Sequence, residues 1–352
     1  MSGFRSFDSH SVDFADTTTI LVGHNAAGKT NTVEALQMLT AGYSFRRPTP
    51  RQLINDSCEE ARIALHLEGD GRVMDMTCDI APGKRQYSRN GKKCQAAEVP
   101  ATLMSVLFCP DDLFLVKRGA SFRRDEIDDF GRQANAGYSK VLAAYLRAVE
   151  QRNRLLKEDA PDLGLLDAWD ASVALGGATL LQARMRLFTR LSGKISEIYG
   201  QISGGEKLSC SYECSLGPDL FELTRDELAE LLAERLRDVR PDDLRRQQTT
   251  VGPHRDDITF GIDGRDARLF GSQGQQRSVV IALKMAEVLL SAEIVGEQPL
   301  LLLDDVMSEL DENRREAVLS FAQRGIQTVV TTTNLGYFSD DLLSASKVVR
   351  FG

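Results

Sequence analysis

A glycine-bounded loop near the N-terminus is the first feature of the sequence that could perform chemistry. Gly23-His24-Asn25-Ala26-Ala27-Gly28-Lys29-Thr30 follows the spacing G-x-x-x-x-G-K-[ST]. In such a loop the backbone N–H groups surround a phosphate, and the lysine contacts the β- and γ-phosphate oxygens. The threonine hydroxyl is a ligand for Mg²⁺. The eight residues therefore predict a nucleotide site, with Lys29 as a catalytic residue and Thr30 as a metal ligand.

Two adjacent acids form a second candidate site. Asp304 and Asp305 follow four consecutive leucines at residues 300–303, which is typical of a buried central strand whose carboxyl end meets a ligand. We expect Asp304 to hold Mg²⁺ through water, and Asp305 to orient or deprotonate the attacking water. The pair could instead cap the helix that begins near Asp311. Two buried carboxylates without a cation would repel each other, which disfavours that alternative.

Apolar periodicity predicts the elements that would position these residues. A strand over residues 18–22 leads into the loop, and a helix follows from Lys29 to about Ala41. Alternation over residues 61–67 and 73–80, with turn pairs Pro82/Gly83 and Asn90/Gly91, predicts an antiparallel meander. Further strands are predicted at residues 105–108, 258–262, 300–303, 328–331 and 348–351.

The middle of the chain has a helical pattern. Apolar residues at i, i+3 and i+4 spacing form two stripes, which contain Tyr138, Val141, Leu142, Tyr145, Leu146 and Val149 in the first and Leu180, Leu187, Leu191, Ile195 and Ile198 in the second. A loop at residues 161–164 would join the two helices as an αα-hairpin. The predicted architecture is an α/β ATPase lobe (residues 1–121 and 247–352) with a helical insertion lobe (residues 122–246).

Net charge restricts how this chain could meet nucleic acid. Its 43 Lys and Arg residues and 51 Asp and Glu residues give a formal charge of −8, which excludes indiscriminate coating of nucleic acid. Local clusters of basic residues decide whether the chain can bind nucleic acid, because charges are screened beyond about 8 Å at physiological salt. Each cluster could also be an ordinary solvated loop or hairpin. The candidate DNA contacts are Arg46, Arg47, Arg51, Lys84, Arg85, Lys92, Lys93, Arg123 and Arg124.

Composition favours a cytoplasmic location without a membrane contact. Apolar runs stop well short of the roughly 20 residues that span a bilayer, and the first residues lack a secretory pattern. The six cysteines are scattered, as is typical of buried thiols in a reducing compartment. Cys210 and Cys214 lie close together, but no second Cys or His pair completes a zinc site.

A third motif precedes a long amphipathic helix. Ser272-Gln273-Gly274-Gln275 places a hydroxyl and free amide groups at the N-terminus of that helix, where they could bind an anion. Alone, this segment could be a simple helix cap. It follows a phosphate loop and a helical insertion, however, and it precedes a strand that ends in two acids. That order resembles the layout of an ABC/SMC-type ATPase head.

Within that class the sequence resembles the RecF family of recombination-repair ATPases over nearly its whole length. The matching segments, beside the phosphate loop, are Phe4-Arg5-Ser6-Phe7, Asn31, Ser44-Phe45-Arg46, Phe108-Cys109-Pro110-Asp111-Asp112-Leu113, Arg123-Arg124, Gly252-Pro253-His254-Arg255-Asp256-Asp257, residues 272–277 and residues 303–311. Ala26 stands where the family usually has a glycine, and we expect it to be tolerated if its φ is negative. The strand before the Phe-Arg motif should be short or missing.

The resemblance implies a function. ATP and Mg²⁺ would join two copies of the chain, with Ser272, Gln273, Gly274 and Gln275 of each copy contacting the nucleotide of the other. Arg5 would assist phosphate binding, and Asp311 would face the opposite site. The closed homodimer would grip double-stranded DNA near single-strand/double-strand junctions, hydrolyse ATP slowly with stimulation by DNA, and cooperate with RecO and RecR to load RecA.

Other classes of protein remain as alternatives. A P-loop small-molecule kinase would share the phosphate loop but would transfer phosphate to an acceptor. A nucleotide-gated binding protein would share all the motifs without significant hydrolysis. An SMC clamp with long coiled coils is disfavoured, because residues 122–246 are too few for long arms.

Overall fold

The computed structural model describes residues 1–69, 71–218 and 220–352, which form two compact units. One unit contains Met1–Leu113 and Glu287–Gly352, and the other contains Phe114–Ala286. The strands are β1 (Ser2–Phe4), β2 (Phe7–Ser9), β3 (Thr18–Gly23), β4 (Ala61–Gly69), β5 (Arg72–Ala81), β6 (Lys84–Arg89), β7 (Lys92–Cys94), β8 (Ser105–Phe108), β9 (Leu208–Glu213), β10 (Asp257–Ile262), β11 (Arg265–Asp266), β12 (Leu300–Asp304), β13 (Thr328–Thr332) and β14 (Lys347–Phe351).

The α-helices are α1 (Lys29–Ala41), α2 (Pro50–Leu53), α3 (Ala120–Ala134), α4 (Ala136–Leu155), α5 (Leu163–Ser203), α6 (Arg225–Asp238), α7 (Arg240–Arg246), α8 (Ala267–Phe270), α9 (Gln273–Val295), α10 (Glu312–Ala322) and α11 (Asp340–Ala345). Single turns of 3₁₀-helix lie at Ala96–Ala101, Pro110–Phe114, Pro253–Arg255, Val306–Glu309 and Leu335–Tyr337.

A five-stranded parallel sheet forms the centre of the first unit. Its order is β14-β3-β13-β12-β8, and every neighbouring pair is parallel. Every residue of β8, β12 and β13 is buried, because parallel strands covered on both faces need continuous apolar or small side chains. The predicted strands at residues 18–22, 105–108, 300–303, 328–331 and 348–351 are confirmed. The register places Thr331 beside Asp304.

The antiparallel meander predicted from alternation is also confirmed. The second sheet of this unit has the order β2-β1-β4-β5-β6-β7. Asn90 and Gly91 join β6 to β7 with φ values of 48° and 75°, as a tight hairpin turn requires. The apolar face of the sheet packs with α1 residues Met38 and Leu39. β1 has only three residues, which agrees with the expected short strand before the Phe-Arg motif.

The second unit contains the helical hairpin and a small sheet. α4 and α5 pack against each other as predicted, and their shared core includes Tyr145 and Val173. α5 has 41 residues and is longer than the predicted apolar stripe. Strand β9 lies inside the range predicted to be helical, and it pairs with β10 and through it with β11. No helix in the described part of the chain is both long enough and apolar enough to cross a membrane.

Candidate functional site

The phosphate loop connects β3 to α1 at a tightly packed point of the first unit. Gly23 lies against the backbone of Phe351, where a Cβ would come within 2.4 Å of the Phe351 carbonyl oxygen. Gly28 has a φ of +103°, and a Cβ there would meet the ring of Phe7 at 2.3 Å. Both positions therefore require glycine for steric reasons, and Gly28 requires it also for its positive φ.

Ala26 corrects one expectation. Its φ is +66° rather than negative. A left-handed residue turns successive backbone N–H groups toward one point, and this creates the concave anion site of such loops. The side chain makes that conformation about 1 kcal/mol less favourable than it would be for glycine. Ala26 therefore adopts the left-handed conformation that the loop requires, although alanine favours a negative φ.

Lys29 is held inside the loop that it follows. Its ammonium group donates to the carbonyl oxygens of Gly23 at 2.7 Å and His24 at 2.8 Å. Although lysine is rarely buried, this side chain is, with 6% of its surface exposed. The two hydrogen bonds hold the charge within the curve of the loop, where an anion would gain most from it.

The phosphate loop and the acidic pair meet through Thr30. Its hydroxyl donates to Asp304 Oδ1 at 3.0 Å. Thr331 on β13 donates to the same oxygen at 2.8 Å, and the Thr331 hydroxyl also accepts from the Asp305 backbone N–H at 2.8 Å. One threonine therefore orients both acids. Sequence reasoning missed Thr331, whose only signal was its place at the end of a predicted strand.

The electrostatics of the two acids fit a cation site. Burial raises the pKa of Asp304, although hydrogen bonds from Thr331 and Thr30 act against this. Burial also raises the pKa of Asp305, while the charge of Lys29 lowers it. Hydroxyl and carboxylate oxygens are the ligands that Mg²⁺ prefers, and it commonly keeps several waters. The oxygens of Thr30 and Asp304 therefore fit the predicted metal, with Asp305 beside them.

Arg5 lies at a buried carboxylate on α1. Its guanidinium donates to both oxygens of Glu34, at 2.9 Å and 2.6 Å. Ser44 donates to Glu34 at 2.5 Å, and Arg46 donates to it at 3.2 Å. Asn31 joins the same cluster by accepting from Arg46 at 3.0 Å.

The structure thus brings together three segments that carry the family resemblance, around a residue that sequence reasoning did not single out. Glu34 is fully buried, and a buried carboxylate needs such partners. Its position one turn beyond Thr30 on α1 was the available signal.

Ser272, Gln273, Gly274 and Gln275 form the first turn of α9 in the second unit. Ser272 and Gln275 cap each other: the Ser272 N–H donates to Gln275 Oε1 at 2.8 Å, and the Gln275 N–H donates to the Ser272 hydroxyl oxygen at 3.2 Å. The side-chain amide of Gln275 also donates to Glu206 at 2.7 Å. The buried hydroxyl of Tyr199 donates to the other oxygen of Glu206 at 2.7 Å.

The helix cap and the anion-binding interpretation of this turn are compatible. The Ser272 hydroxyl oxygen accepts from Gln275, while its proton can still be donated. Gln273 and Ser272 are exposed. The turn is therefore held in place from the protein side by Glu206, a residue that sequence reasoning did not identify.

Arg123 and Arg124 are oriented into the second unit. The Arg123 guanidinium is bidentate with Asp257, at 2.7 Å and 2.8 Å, and only 3% of its side chain is exposed. It also donates to the carbonyl oxygens of Leu115, Val116 and Arg118. Arg124 is partly buried and donates to the Asp256 carbonyl oxygen at 2.6 Å.

These contacts correct the expectation that Arg123 contacts DNA. Its charge is neutralised inside the protein, so it is unavailable to a phosphate. The contacts join the Arg123-Arg124 segment to the Asp256-Asp257 segment in this chain.

His254 lies in the same region as a partly buried, neutral side chain. Its Nε2 lies 3.1 Å from the Thr249 carbonyl oxygen, which can only accept, so Nε2 carries the proton. Nδ1 therefore accepts from the Tyr145 hydroxyl at 2.6 Å. Burial lowers the pKa of His254 to about 4. These contacts make His254 part of a hydrogen-bonded turn inside the second unit.

The remaining DNA candidates lie on the surface of the first unit. Arg46, Arg47 and Arg51 are exposed around α2 and the loop before it. Lys84, Arg85, Lys92 and Lys93 are exposed on the β6–β7 hairpin. In that hairpin Lys93 pairs with Ser88, and Lys92 pairs with Arg89. The hairpin therefore concentrates five cations on a two-stranded edge, with Arg89 included.

Asp311 begins helix α10. Its side chain accepts from the Arg314 backbone N–H at 3.0 Å and forms an ion pair with the Arg314 guanidinium. Half of the Asp311 side chain is exposed, which leaves room for the contact that the resemblance implies.

Comparison with known proteins places these features in context. The family model for the RecF/RecN/SMC N terminal domain matches residues 1–349. A DNA replication and repair protein RecF from Gloeobacter violaceus is 37% identical over 353 residues, which cover 98% of this chain and 94% of that protein.

Two solved structures are also similar. The recombination mediator protein RecF-ATPrS in the RecFOR pathway has a TM-score of 0.90 at 31% identity, and the match covers 96% of this chain and 92% of that one. The corresponding RecF-ATP structure has a TM-score of 0.87 at 32% identity, with 96% and 91% covered. The predicted fold class, an α/β ABC/SMC-type P-loop ATPase head with an inserted helical lobe, is confirmed.

Proposed function

The chain belongs to the RecF family, and on this premise we propose that it is an ATP-switched DNA-binding protein of replication and recombinational repair. The observation that carries the proposal is the hydrogen bond between Thr30 and Asp304, which unites the phosphate loop with the acid-tipped strand. Two similar solved structures are described as RecF with ATP or ATPrS. ATP is therefore the proposed nucleotide.

The proposed chemistry at this site is slow hydrolysis of ATP. A bound Mg²⁺ would neutralise the phosphate oxygens and orient them for displacement. Thr30 and Asp304 would hold it, and Lys29 would contact the β- and γ-phosphate oxygens from within the loop. Asp305 would orient the attacking water or accept its proton, and its raised pKa suits a proton acceptor. Arg5 would assist phosphate binding through the Glu34 cluster.

The proposed role of the nucleotide is to close a homodimer. The exposed turn at Ser272, Gln273, Gly274 and Gln275 would contact the nucleotide of a second copy. Because each nucleotide then contacts two chains, ATP favours the closed dimer and hydrolysis removes that preference. Asp311 would face the opposite site.

DNA and partner proteins complete the proposal. The closed dimer would grip double-stranded DNA near junctions with single strands through the exposed cations of residues 46–51 and 84–93. Two similar structures are described as the recombination mediator RecF of the RecFOR pathway, which supports RecO and RecR as partners. The loading of RecA is a proposal that follows from the family resemblance. A division into an ATPase lobe (1–121 and 247–352) and a helical lobe (122–246), and a cytoplasmic location, stay predictions.

Sedimentation of an Asp305→Asn variant tests the dimer. Asn tolerates the left-handed conformation of Asp305, which has a φ of 51°. This variant should retain ATP and sediment as a dimer at micromolar concentration with ATP and as a monomer without it. A monomer under both conditions would contradict the proposal.

Phosphate release by the unmodified chain separates the proposed activity from the alternatives. Slow release that needs no acceptor and increases with DNA supports the ATPase. Release that depends on a small-molecule acceptor would indicate a kinase. ATP-dependent DNA binding without release in a single-turnover assay would indicate a nucleotide-gated binding protein.

A further inference from the structure

The exposed apolar pair Leu269 and Phe270 stands directly before the Ser272 turn. The exposed fractions are 72% for Leu269 and 60% for Phe270, the highest of any large apolar side chains in the described residues. Contiguous exposed apolar side chains, unlike isolated ones, often mark a site of contact with a partner. Leu269 and Phe270 lie next to the Ser272 turn, which would contact a second copy of the chain in the proposed function. This position makes them candidates for a contact in the same interface.

The pair is rigidly connected to the Ser272 turn. The buried side chain of Gln276 donates to the carbonyl oxygens of Ala267 at 2.8 Å and Gly271 at 3.2 Å. A Cβ on Gly271 would come within 2.5 Å of the Ala267 oxygen. Helix α8 and the first turn of α9 therefore form one block, and a surface that contacts the turn must also approach the pair.

The conformation of the pair is set before any contact is made. Asp266 caps α8 by accepting from the backbone N–H groups of Arg268 and Leu269. The Arg265 guanidinium lies over the Phe270 ring, 4.5 Å from its centroid. A preorganised apolar surface loses little entropy on binding, which favours its use in an interface.

We propose that Leu269 and Phe270 are covered by a second copy of this chain when ATP closes the dimer. The proposal rests on the ATP-dependent dimer proposed above and names apolar side chains that would stabilise it. Continuity with the Ser272 turn favours a second copy as the occupant. Two apolar side chains offer no donor to a phosphate backbone, which argues against DNA.

A double substitution tests the pair in the Asp305→Asn background. Leu269→Ser with Phe270→Ser should raise the dimer dissociation constant on the order of 100-fold, because two-fold symmetry removes each contact twice. Binding of a fluorescent ATP analogue to the monomer should be unchanged. The matched control is Leu175→Ser with Phe221→Ser, which removes the same side-chain types at exposed positions of the same unit and should leave the dimer unaffected.

The outcomes distinguish this inference from the proposed function. If Asp305→Asn alone remains monomeric with ATP, the ATP-dependent dimer is wrong and the inference fails with it. If Asp305→Asn dimerises and the Leu269/Phe270 substitutions leave its dissociation constant unchanged, only the inference is wrong. Loss of DNA binding by the substituted protein without a change in dimerisation would likewise overturn it and indicate a DNA contact.

Discussion

The hydroxyl of Thr30 donates a 3.0 Å hydrogen bond to the carboxylate of Asp304, 274 residues further along the chain. The register between β12 and β13 then brings Thr331 to the same carboxylate. The hydroxyl groups of Thr30 and Thr331 therefore both donate to one carboxylate oxygen of Asp304. In the proposed function, a metal ion and the terminal phosphate of ATP would meet at this contact.

Thr331 should accelerate hydrolysis although it is not expected to contact the nucleotide. Thr331→Val removes the donor to Asp304 and the acceptor for the Asp305 N–H, but it keeps the shape of the side chain. We expect stability to fall by about 1–3 kcal/mol, since a buried amide loses its partner. Single-turnover hydrolysis should slow roughly tenfold as the acids lose their orientation. Urea unfolding and rapid-quench assays measure the two effects.

The control for Thr331 lies on the same strand. Thr328 is also buried, and its hydroxyl donates to the Ile326 carbonyl oxygen at 2.9 Å. Thr328→Val should reduce stability without slowing hydrolysis beyond that effect. Equal hydrolysis rates in the two variants would show that Thr331 does not orient the acids.

Glu206 should control dimerisation through Gln275. Glu206→Ala releases the Gln275 side-chain amide, so the Ser272 turn loses its fixed orientation and the ATP-dependent dimer should weaken about tenfold. Glu206→Gln should retain most of the dimer, because its amide oxygen can still accept from Gln275. Sedimentation equilibrium with ATP in the Asp305→Asn background measures the dissociation constants.

Tyr199 supplies the control for Glu206. Tyr199→Phe removes the second hydrogen bond to Glu206 but leaves the contact with Gln275. It should lower stability and leave dimerisation unchanged. The assignment fails if Tyr199→Phe and Glu206→Ala weaken the dimer equally.

His254 should make stability depend on pH. Its pKa is lowered from 6.5 to about 4 by burial, so between these values the unfolded chain binds more protons at this position than the folded chain does. Stability is therefore lost as the pH falls through that window, by up to about 3 kcal/mol. His254→Gln can keep an acceptor and a donor in place without titrating, and its stability should change less with pH.

The difference in pH-dependent stability between the unmodified chain and the His254→Gln variant gives the contribution of His254. The pKa of exposed His66 is raised by the hydrogen bonds that its ring donates to the carboxylates of Asp75 and Glu68. This shift acts in the opposite direction and is common to both proteins. Urea unfolding at pH 4.5, 5.5 and 7 provides the comparison. Parallel curves for the two proteins would mean that His254 is not held neutral.

The salt dependence of DNA binding should separate surface cations from buried ones. A plot of log affinity against log salt concentration falls with a slope of about one for each neutralised phosphate contact. Lys92→Gln with Lys93→Gln should therefore make this slope less steep by about two. Their unfolding should be unchanged, because both side chains are exposed. Fluorescence anisotropy across a salt series measures the slope.

Arg123 should behave in the opposite way. Arg123→Gln leaves Asp257 without its partner, so the free energy of unfolding should fall by about 3–5 kcal/mol. At a low temperature, where the variant stays folded, the salt dependence of its DNA binding should not change. A slope that falls as far as in the lysine variant would show that Arg123 contacts DNA after all.

Local patterns predicted the elements around the nucleotide site well. Helix α1 has the predicted bounds, because Gly28 before it and Gly42 after it both adopt left-handed conformations that a helix cannot continue through. The central strands were recognised because burial on both faces demands unbroken apolar runs. Strand β9 was missed, because its six residues follow a long helix and gain their role from pairing with β10.

The sequence by itself determined the chemistry of the phosphate loop and the acidic pair, since phosphate binding uses neighbouring backbone groups and the acids follow their own strand directly. Only the tertiary structure decided which distant residues serve them. The pairing of Thr331 with Asp304, of Arg5 with Glu34 and of Arg123 with Asp257 depends on sheet register and helix packing, which no local spacing encodes. The sequence does not show whether a charged side chain faces DNA or a buried carboxylate. Only its burial in the folded chain distinguishes a DNA contact from an internal ion pair.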